Sequence, residues 1–307
     1  MYRWVSAAFF KPLRPWQYIC IYSSVHWYVL LILAGCVPLA DAPMPEEPKL
    51  SQSAALTVPA QYQLTWADEF DNIVEPDPRR WAYDTHRNRK GWYNGEAQYY
   101  ARRRARNVRV SNGVLVIEAH AEILDRATFS DWGGQAYSSG RLITRGKQSW
   151  KYGFFEIRAR MPCGRGTWPA IWLLPVQESG RWQGGEIDIA EHVGTDEGRV
   201  HHSIQTTERN FRRGDHPTAT TTIADACTQF HRYQLHWTRD FIRIGVDDRP
   251  ALTVSTAELG LEFDRPMFLI LNLAIGGTWG GAQGIDNAAL PARLEVDYVR
   301  VYQGLSE

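Results

Sequence analysis

The chain has 307 residues, 44% of them hydrophobic, and 34 basic against 34 acidic side chains give it zero formal net charge. That length suits one large domain with a sizeable core. The charge balance argues against nucleic acid as a partner, because phosphate binding leaves a basic excess.

Residues 1–35 read as a targeting segment. Arg3, Lys11 and Arg14 precede an uncharged stretch from Pro15 to Gly35, which closes in the apolar run Val29–Leu33 and then Leu33-Ala34-Gly35-Cys36. That tetrapeptide resembles a lipobox, which is cleaved ahead of a cysteine that then receives lipid. An uncleaved anchor is the competing reading, since the uncharged run is long enough to span a bilayer. Lipidation at Cys36 would hold the protein at the cell envelope, on the outer membrane of a Gram-negative cell given Val37 at the next position. Residues 36–61, hydrophilic and proline-rich, read as a flexible tether. Residues 62–307 read as one folded domain, and a monomer is expected.

Beyond residue 61 the pattern is one of short strands. Phe155, Ile157, Ala159 and Met161 alternate with Glu156, Arg158 and Arg160; Ile242, Ile244 and Val246 alternate with Phe241, Arg243 and Gly245. Val114–Ala119 and Phe268–Ile275 are nearly continuous apolar runs, as in strands covered on both faces. Near the C-terminus Val296, Tyr298 and Arg300 alternate with Asp297, Val299 and Val301. Ser111-Asn112-Gly113, Gly276-Gly277 and Gly280-Gly281 mark turns. The basic run of Arg102, Arg103, Arg104, Arg106 and Arg109 reads as a solvated loop. Only Ser255–Leu259 offers a helical turn, and there is no internal repeat. Many strands and no helices predict an all-β fold, a sandwich or barrel.

The hexapeptide EIDIAE, Glu186 to Glu191, carries three carboxylates among apolar neighbours. On a strand, Glu186 and Asp188 share one face while Ile187 and Ile189 enter the core. Glu191 breaks that phase, and one extra residue taken up as a β-bulge at Ile189–Ala190 would return it to the acidic face. Grouping carboxylates in an apolar patch costs several kcal/mol by order of magnitude, which points to a use. One such use is retaining glycoside cleavage, which needs a nucleophilic carboxylate and a protonated carboxyl about 5–5.5 Å apart. Asp188, lying between the outer two, would bond the nucleophile and keep the acid protonated by like-charge repulsion. Solvated acids or a calcium site are the competing reading.

Thirteen tryptophans fit the same direction, since indole rings stack on the flat C–H faces of sugars, although core packing is the ordinary use of any one of them. Trp168 and Trp172 share a strand face provided Pro169 does not break it. Asn272 is the odd polar group of its apolar strand, and a buried Asn must be hydrogen-bonded. It either braces the carboxylates or satisfies backbone groups, the second being preferred. Of the four cysteines, Cys20 leaves with the targeting segment and Cys36 takes lipid. The remaining Cys163 and Cys227 permit one disulfide in an exported chain, or stay as two thiols.

EIDIAEHVG resembles the active-site strand of glycoside hydrolase family 16, in the bulged E-x-D-x-x-E form of its laminarinases, which are endo-1,3-β-glucanases. WADEF at Trp66–Phe70, WYNGEAQYY at Trp92–Tyr100, YGFFEIRARMPCGRGTWPAIWLLP at Tyr152–Pro175, FHRYQLHW at Phe230–Trp237 and the segment Phe268–Tyr302 are similar to the same family, in order along the chain. The resemblance implies a β-jelly-roll of two bent antiparallel sheets, the concave one lining a substrate cleft. It implies retaining endo-hydrolysis of internal β-1,3-glucosidic bonds, with Glu186 as nucleophile, Glu191 as acid and base, and Asp188 between them. No cofactor is needed for that chemistry. Other members cut mixed-linkage glucan or agar- and carrageenan-type galactans. A non-catalytic β-glucan-binding lipoprotein is the alternative of another class, and the three intact acids speak against it.

The same resemblance assigns Trp168 and Trp172 to sugar stacking on the non-reducing side of the scissile bond. Asn94 and Arg141 match positions that bond sugar hydroxyls, and Trp182 and Trp279 lie on loops bordering the cleft. His201, Ser203 and Gln205 share a strand face. Relatives often carry His where Gln205 stands, which bears on preference at the leaving-group side. Glu69, Gly113 and Asp297 match a structural calcium site of many relatives, and oxygen ligands of this kind suit Ca²⁺.

Overall fold

Alternating sequence becomes seventeen strands in the computed structural model, which describes residues 54–71, 74–177 and 184–304. In chain order these are β1 (Tyr62–Asp68), β2 (Ala82–Tyr83), β3 (Gln98–Tyr100), β4 (Val108–Ser111), β5 (Val114–Ala121) and β6 (Tyr137–Ser139). Then come β7 (Arg141–Ile143), β8 (Gly153–Arg160), β9 (Thr167–Pro175), β10 (Glu186–His192), β11 (Arg199–Gln205) and β12 (Thr218–Thr222). The last five are β13 (His231–Trp237), β14 (Phe241–Val246), β15 (Arg249–Ser255), β16 (Met267–Ile275) and β17 (Ala292–Gly304). The helical turn expected near Ser255–Leu259 is α1 (Thr256–Leu259).

A ten-stranded sheet runs β15-β14-β13-β8-β17-β5-β6-β3, with β1 paired to β17 and β4 to β5; a seven-stranded sheet runs β12-β11-β10-β9-β16-β7-β2. Pairing is antiparallel as expected except at one edge, where β3 and β6 run parallel, Tyr99 opposite Ser138. This is the two-sheet jelly roll. Its core lies between the sheets. Phe155, Ile157 and Val299 from the larger sheet and Ile171, Leu173, Ile187, Ile189, Leu269 and Leu271 from the smaller are all buried in one cluster. Tryptophan serves that core too, since Trp81, Trp150 and Trp237 are buried there, and Trp66 packs edge-on against Trp81 and Trp150.

The packed domain starts ahead of the expected boundary at residue 62. Leu56 is buried and its N–H donates to the Asp248 carbonyl at 2.8 Å, because an apolar side chain set among polar ones still gains by leaving water. Residues 1–35, Cys36, the tether up to residue 53 and Trp182 lie outside the described residues. Cys163 and Cys227 are joined, their Cα atoms 5.6 Å apart, inside the range a disulfide requires. Arg102, Arg103 and Arg106 of the arginine run are exposed in a loop, as expected, while Arg104 and Arg109 are half-buried. Arg104 pairs with Glu122 and Arg109 with Glu118, while Arg103 and Arg106 lie 3.8 and 3.9 Å from Glu75 and Glu122.

Candidate active site

Strand β10 crosses the middle of the smaller sheet, between β9 and β11. Opposite β11, Glu186 faces Gln205, Asp188 faces Ser203 and Glu191 faces His201. Two residues, Ile189 and Ala190, are therefore matched by His202 alone, and the register with β9 shifts at the same place. This is the bulge that the broken alternation predicts. Ile187, Ile189 and Ala190 are fully buried in the core, while Glu186, Asp188 and Glu191 all line a cleft of about 720 Å³. That volume is typical of a ligand site.

The carboxyls differ in their surroundings. Asp188 is 3% exposed and accepts from the Ser203 hydroxyl at 2.5 Å, with the Gln205 amide at 3.5 Å. Burial raises its pKa above the ordinary carboxylate value, and the bonds from Ser203 and Gln205 only partly offset this. Glu191 is raised as well, by burial first, then by the charge of Asp188; the Trp168 indole N–H, 3.0 Å from its Oε1, opposes the shift, and the charge of Glu96 adds to it. A carboxyl kept protonated this way is placed to act as an acid.

The cleft walls come from neighbouring strands. On β9, Trp168, Ala170, Trp172 and Leu174 line the cleft while Ile171 and Leu173 enter the core, so Pro169, opposite Leu273 in unbroken register, leaves the phase intact. On β16, Phe268, Asn272 and Ala274 face the cleft. Asn272 accepts from the Trp172 indole at 2.7 Å and donates to the Tyr100 hydroxyl at 3.1 Å. It therefore braces a cleft-wall tryptophan, where backbone partners were the preferred expectation. The side-chain partners win because β16 already pairs its backbone on both sides, with β7 and β9. Arg141 on β7 donates to Asp84 at 2.8 Å and lies against the faces of Trp172 and Trp92. Burial alone would raise Asp84, but Arg141 and His86 hold it below the usual carboxylate range.

Of the expected substrate residues, Asn94, Arg141, Trp168 and Trp172 line this cleft. His201 and Trp279 sit beside it as an aromatic group: Trp279 meets Trp168 edge-on with centroids 5.5 Å apart and His201 at 4.9 Å, and His201 is held by Asp196 at 3.2 Å. Gln205 is 4% exposed. It donates to Ser203 at 3.1 Å and accepts the Phe211 N–H at 2.9 Å, opposite Glu186 and at the far end of the triad from Glu191. It is buried beside Ser203 and Asp188 and is not among the residues that line the cleft. Sequence reasoning missed Asp84, Tyr93, Glu96 and Phe211, all of which line the cleft. WYNGEAQYY was the one signal that held two of them.

The expected calcium ligands meet only in part. Register brings Asp68 opposite Val299 and Leu115 opposite Val296, so Glu69, Gly113 and Asp297 share one corner of the larger sheet. Both carboxylates there are committed to arginine, Glu69 to Arg300 through two bonds of 2.8 Å and Asp297 to Arg158.

Three carboxyls on one strand face, the middle one buried, on the floor of an aromatic-walled cleft, are the equipment of a glycoside hydrolase on a jelly-roll frame. Sequence comparison leads to the same class, since residues 95–300 match Glycosyl hydrolases family 16. The chain belongs to that family. It is 43% identical over 288 residues to a beta-glucanase of Rhodothermus marinus, covering 90% of this chain and 93% of that protein. Among solved structures, a point mutant of SCLam, a non-specific endo-beta-1,3(4)-glucanase holding a 1,3-beta-D-cellobiosyl-glucose at its active site, superposes with a TM-score of 0.79 at 48% identity. The match covers 82% of this chain and 98% of that one. The laminarinase of Rhodothermus marinus superposes with a TM-score of 0.74 at 46% identity, covering 80% and 98%.

Proposed function

We propose that this protein is a retaining endo-1,3-β-glucanase that cuts laminarin-like β-glucans at internal bonds. The observation that carries the reading is the bulged strand, which sets Glu186 and Glu191 on one cleft face with Asp188 between them. Glu186 attacks the anomeric carbon as Glu191 gives its proton to the leaving oxygen, so one sugar–oxygen bond breaks and a glycosyl ester forms. Glu191, now a carboxylate, takes a proton from water, whose oxygen displaces Glu186 and regenerates both groups. Asp188, buried and bonded by Ser203, keeps negative charge beside Glu191. Arg141 and Asn94 offer donors to sugar hydroxyls, and Trp168 and Trp172 offer stacking faces.

The linkage assignment is supported by similarity to the beta-glucanase and laminarinase of Rhodothermus marinus. Digestion of purified laminarin, mixed-linkage glucan, agarose and carrageenan, with sizing of the products, tests it. Laminarin should fall to short oligosaccharides; strong activity on agarose with none on laminarin would overturn the substrate. No step needs a metal ion. Calcium at Glu69, Gly113 and Asp297 would serve the fold alone, in competition with Arg300 and Arg158. A melting temperature raised by calcium and lowered by a chelator would support it, and indifference to both would remove it. The envelope location through lipidated Cys36 belongs to this reading as well.

A further inference from the structure

Two carboxyls of the cleft have no part in the two-carboxylate scheme, Asp84, which is paired with Arg141, and Glu96. Glu96 lines the cavity with the triad, and its backbone is pinned twice, by a bridge to Gly276 just after β16 and by its N–H to the Tyr93 carbonyl at 3.1 Å. Gln98 donates to its Oε2 at 3.0 Å, and Gln98 is itself fixed by accepting the Ile275 N–H at 2.8 Å. The turn beyond β16 runs close to it. A Cβ added at Gly277, where φ is +79°, would meet the Trp168 ring at 3.0 Å and the Glu96 side chain at 3.3 Å. Trp168 is the residue that donates to Glu191, so Glu96 and the donor to the candidate acid flank the same glycine turn.

We infer that Glu96 is a positioning residue for proton transfer, a fourth carboxyl in the cavity of the triad that acts through Glu191 and helps it to keep the proton it gives. The inference rests on the assignment of Glu191 as acid. The groups around Glu191 are Glu186 and Asp188 on its own strand, Trp168 from β9, His201 opposite it on β11 and bound to Asp196, and Glu96 from the loop before β3. Around Glu96 stand Gln98, Tyr100, Asn94 and Arg141. Arg141 is the cation among them, and its Nε is turned to Asp84. Burial raises Glu96, with Gln98, Arg141, Asn94 and Tyr100 opposing, and its negative charge in turn raises Glu191. When Glu186 becomes an ester its charge leaves the site, while that of Glu96 stays, so Glu96 acts on Glu191 in both halves of the cycle.

The test is kcat/KM against pH for wild type, Glu96→Gln and Glu96→Asp, on laminarin and on a dinitrophenyl β-glucoside oligomer whose leaving group needs no proton. Gln keeps the shape and removes the charge. Its alkaline limb on laminarin should move to lower pH by about half a unit or more, with the dinitrophenyl substrate unaffected and with Asp returning the limb toward wild type. An unmoved limb, or an equal loss on both substrates at every pH, would overturn the inference while leaving the hydrolase reading in place. A Glu96→Gln protein that fails to fold would assign Glu96 to the fold and overturn it too. Wild-type protein inert on both substrates would remove the parent reading and this one with it.

Discussion

The proposed mechanism gives Glu186 and Glu191, five positions apart on one strand face, different roles. Glu191 lies beside buried Asp188 and under the Trp168 indole, and its folded-state pKa is raised by burial first and by Asp188 next. A carboxyl raised on folding contributes stability that is fully present below its unfolded value, about 4.3 for Glu, and lost as pH rises through the folded value. Glu191→Gln removes that penalty. It should melt like wild type near pH 4 but higher at neutral to mildly alkaline pH, by roughly 2–4 °C, with activity on natural glucan largely lost. Equal melting temperatures at all pH would mean that Glu191 is not strained in the fold. The acids themselves were legible because three carboxylates among isoleucines are costly unless used. Asp84 was not, since its partner Arg141 stands 57 residues further along the chain; Glu96 lies in WYNGEAQYY beside its own partner Gln98, but an acid next to a glutamine carries no pattern that marks it for the cleft.

At the level of elements, the two periods of the sequence did most of the work. Period-two geometry put Trp168 and Trp172 on one face of β9, which the family resemblance assigned to the cleft, and the single phase error in β10 located the bulge between Asp188 and Glu191. The parallel pairing of β3 with β6 escaped notice because both strands are three residues long and buried through most of their length, which leaves no alternation to read. For Gln205, alternation gives its face, but its partner Phe211 N–H comes from a loop that strand pattern does not place. Trp172 is held from two sides, by Asn272 at its indole nitrogen and Arg141 against its ring. A stacking platform fixed in this manner contributes through binding. Trp172→Ala should raise KM for laminarin oligosaccharides about tenfold, corresponding to ~1.4 kcal/mol, with a smaller change in kcat. A loss confined to kcat would assign Trp172 to the chemistry instead.

For the molecule as a whole, the jelly roll was legible from strand-rich patterning and the motif order, while the start of the packed domain was set by a single buried leucine, Leu56, that composition had assigned to the tether. The tether bears on location. If Cys36 carries lipid, Cys36→Ser should move the mature protein from the detergent-extracted membrane fraction to the soluble one. Wild-type protein secreted free, or kept with its N-terminus uncleaved, would contradict the anchor and leave the enzyme untouched. The central claim is double displacement at a β-1,3 bond by Glu186 and Glu191, and proton NMR of the anomeric region during the first minutes of laminarin digestion tests it most directly. The account predicts that new reducing ends appear first as the β-anomer and reach the α/β mixture only by later mutarotation. First appearance of the α-anomer, or no new reducing ends at all, would contradict it.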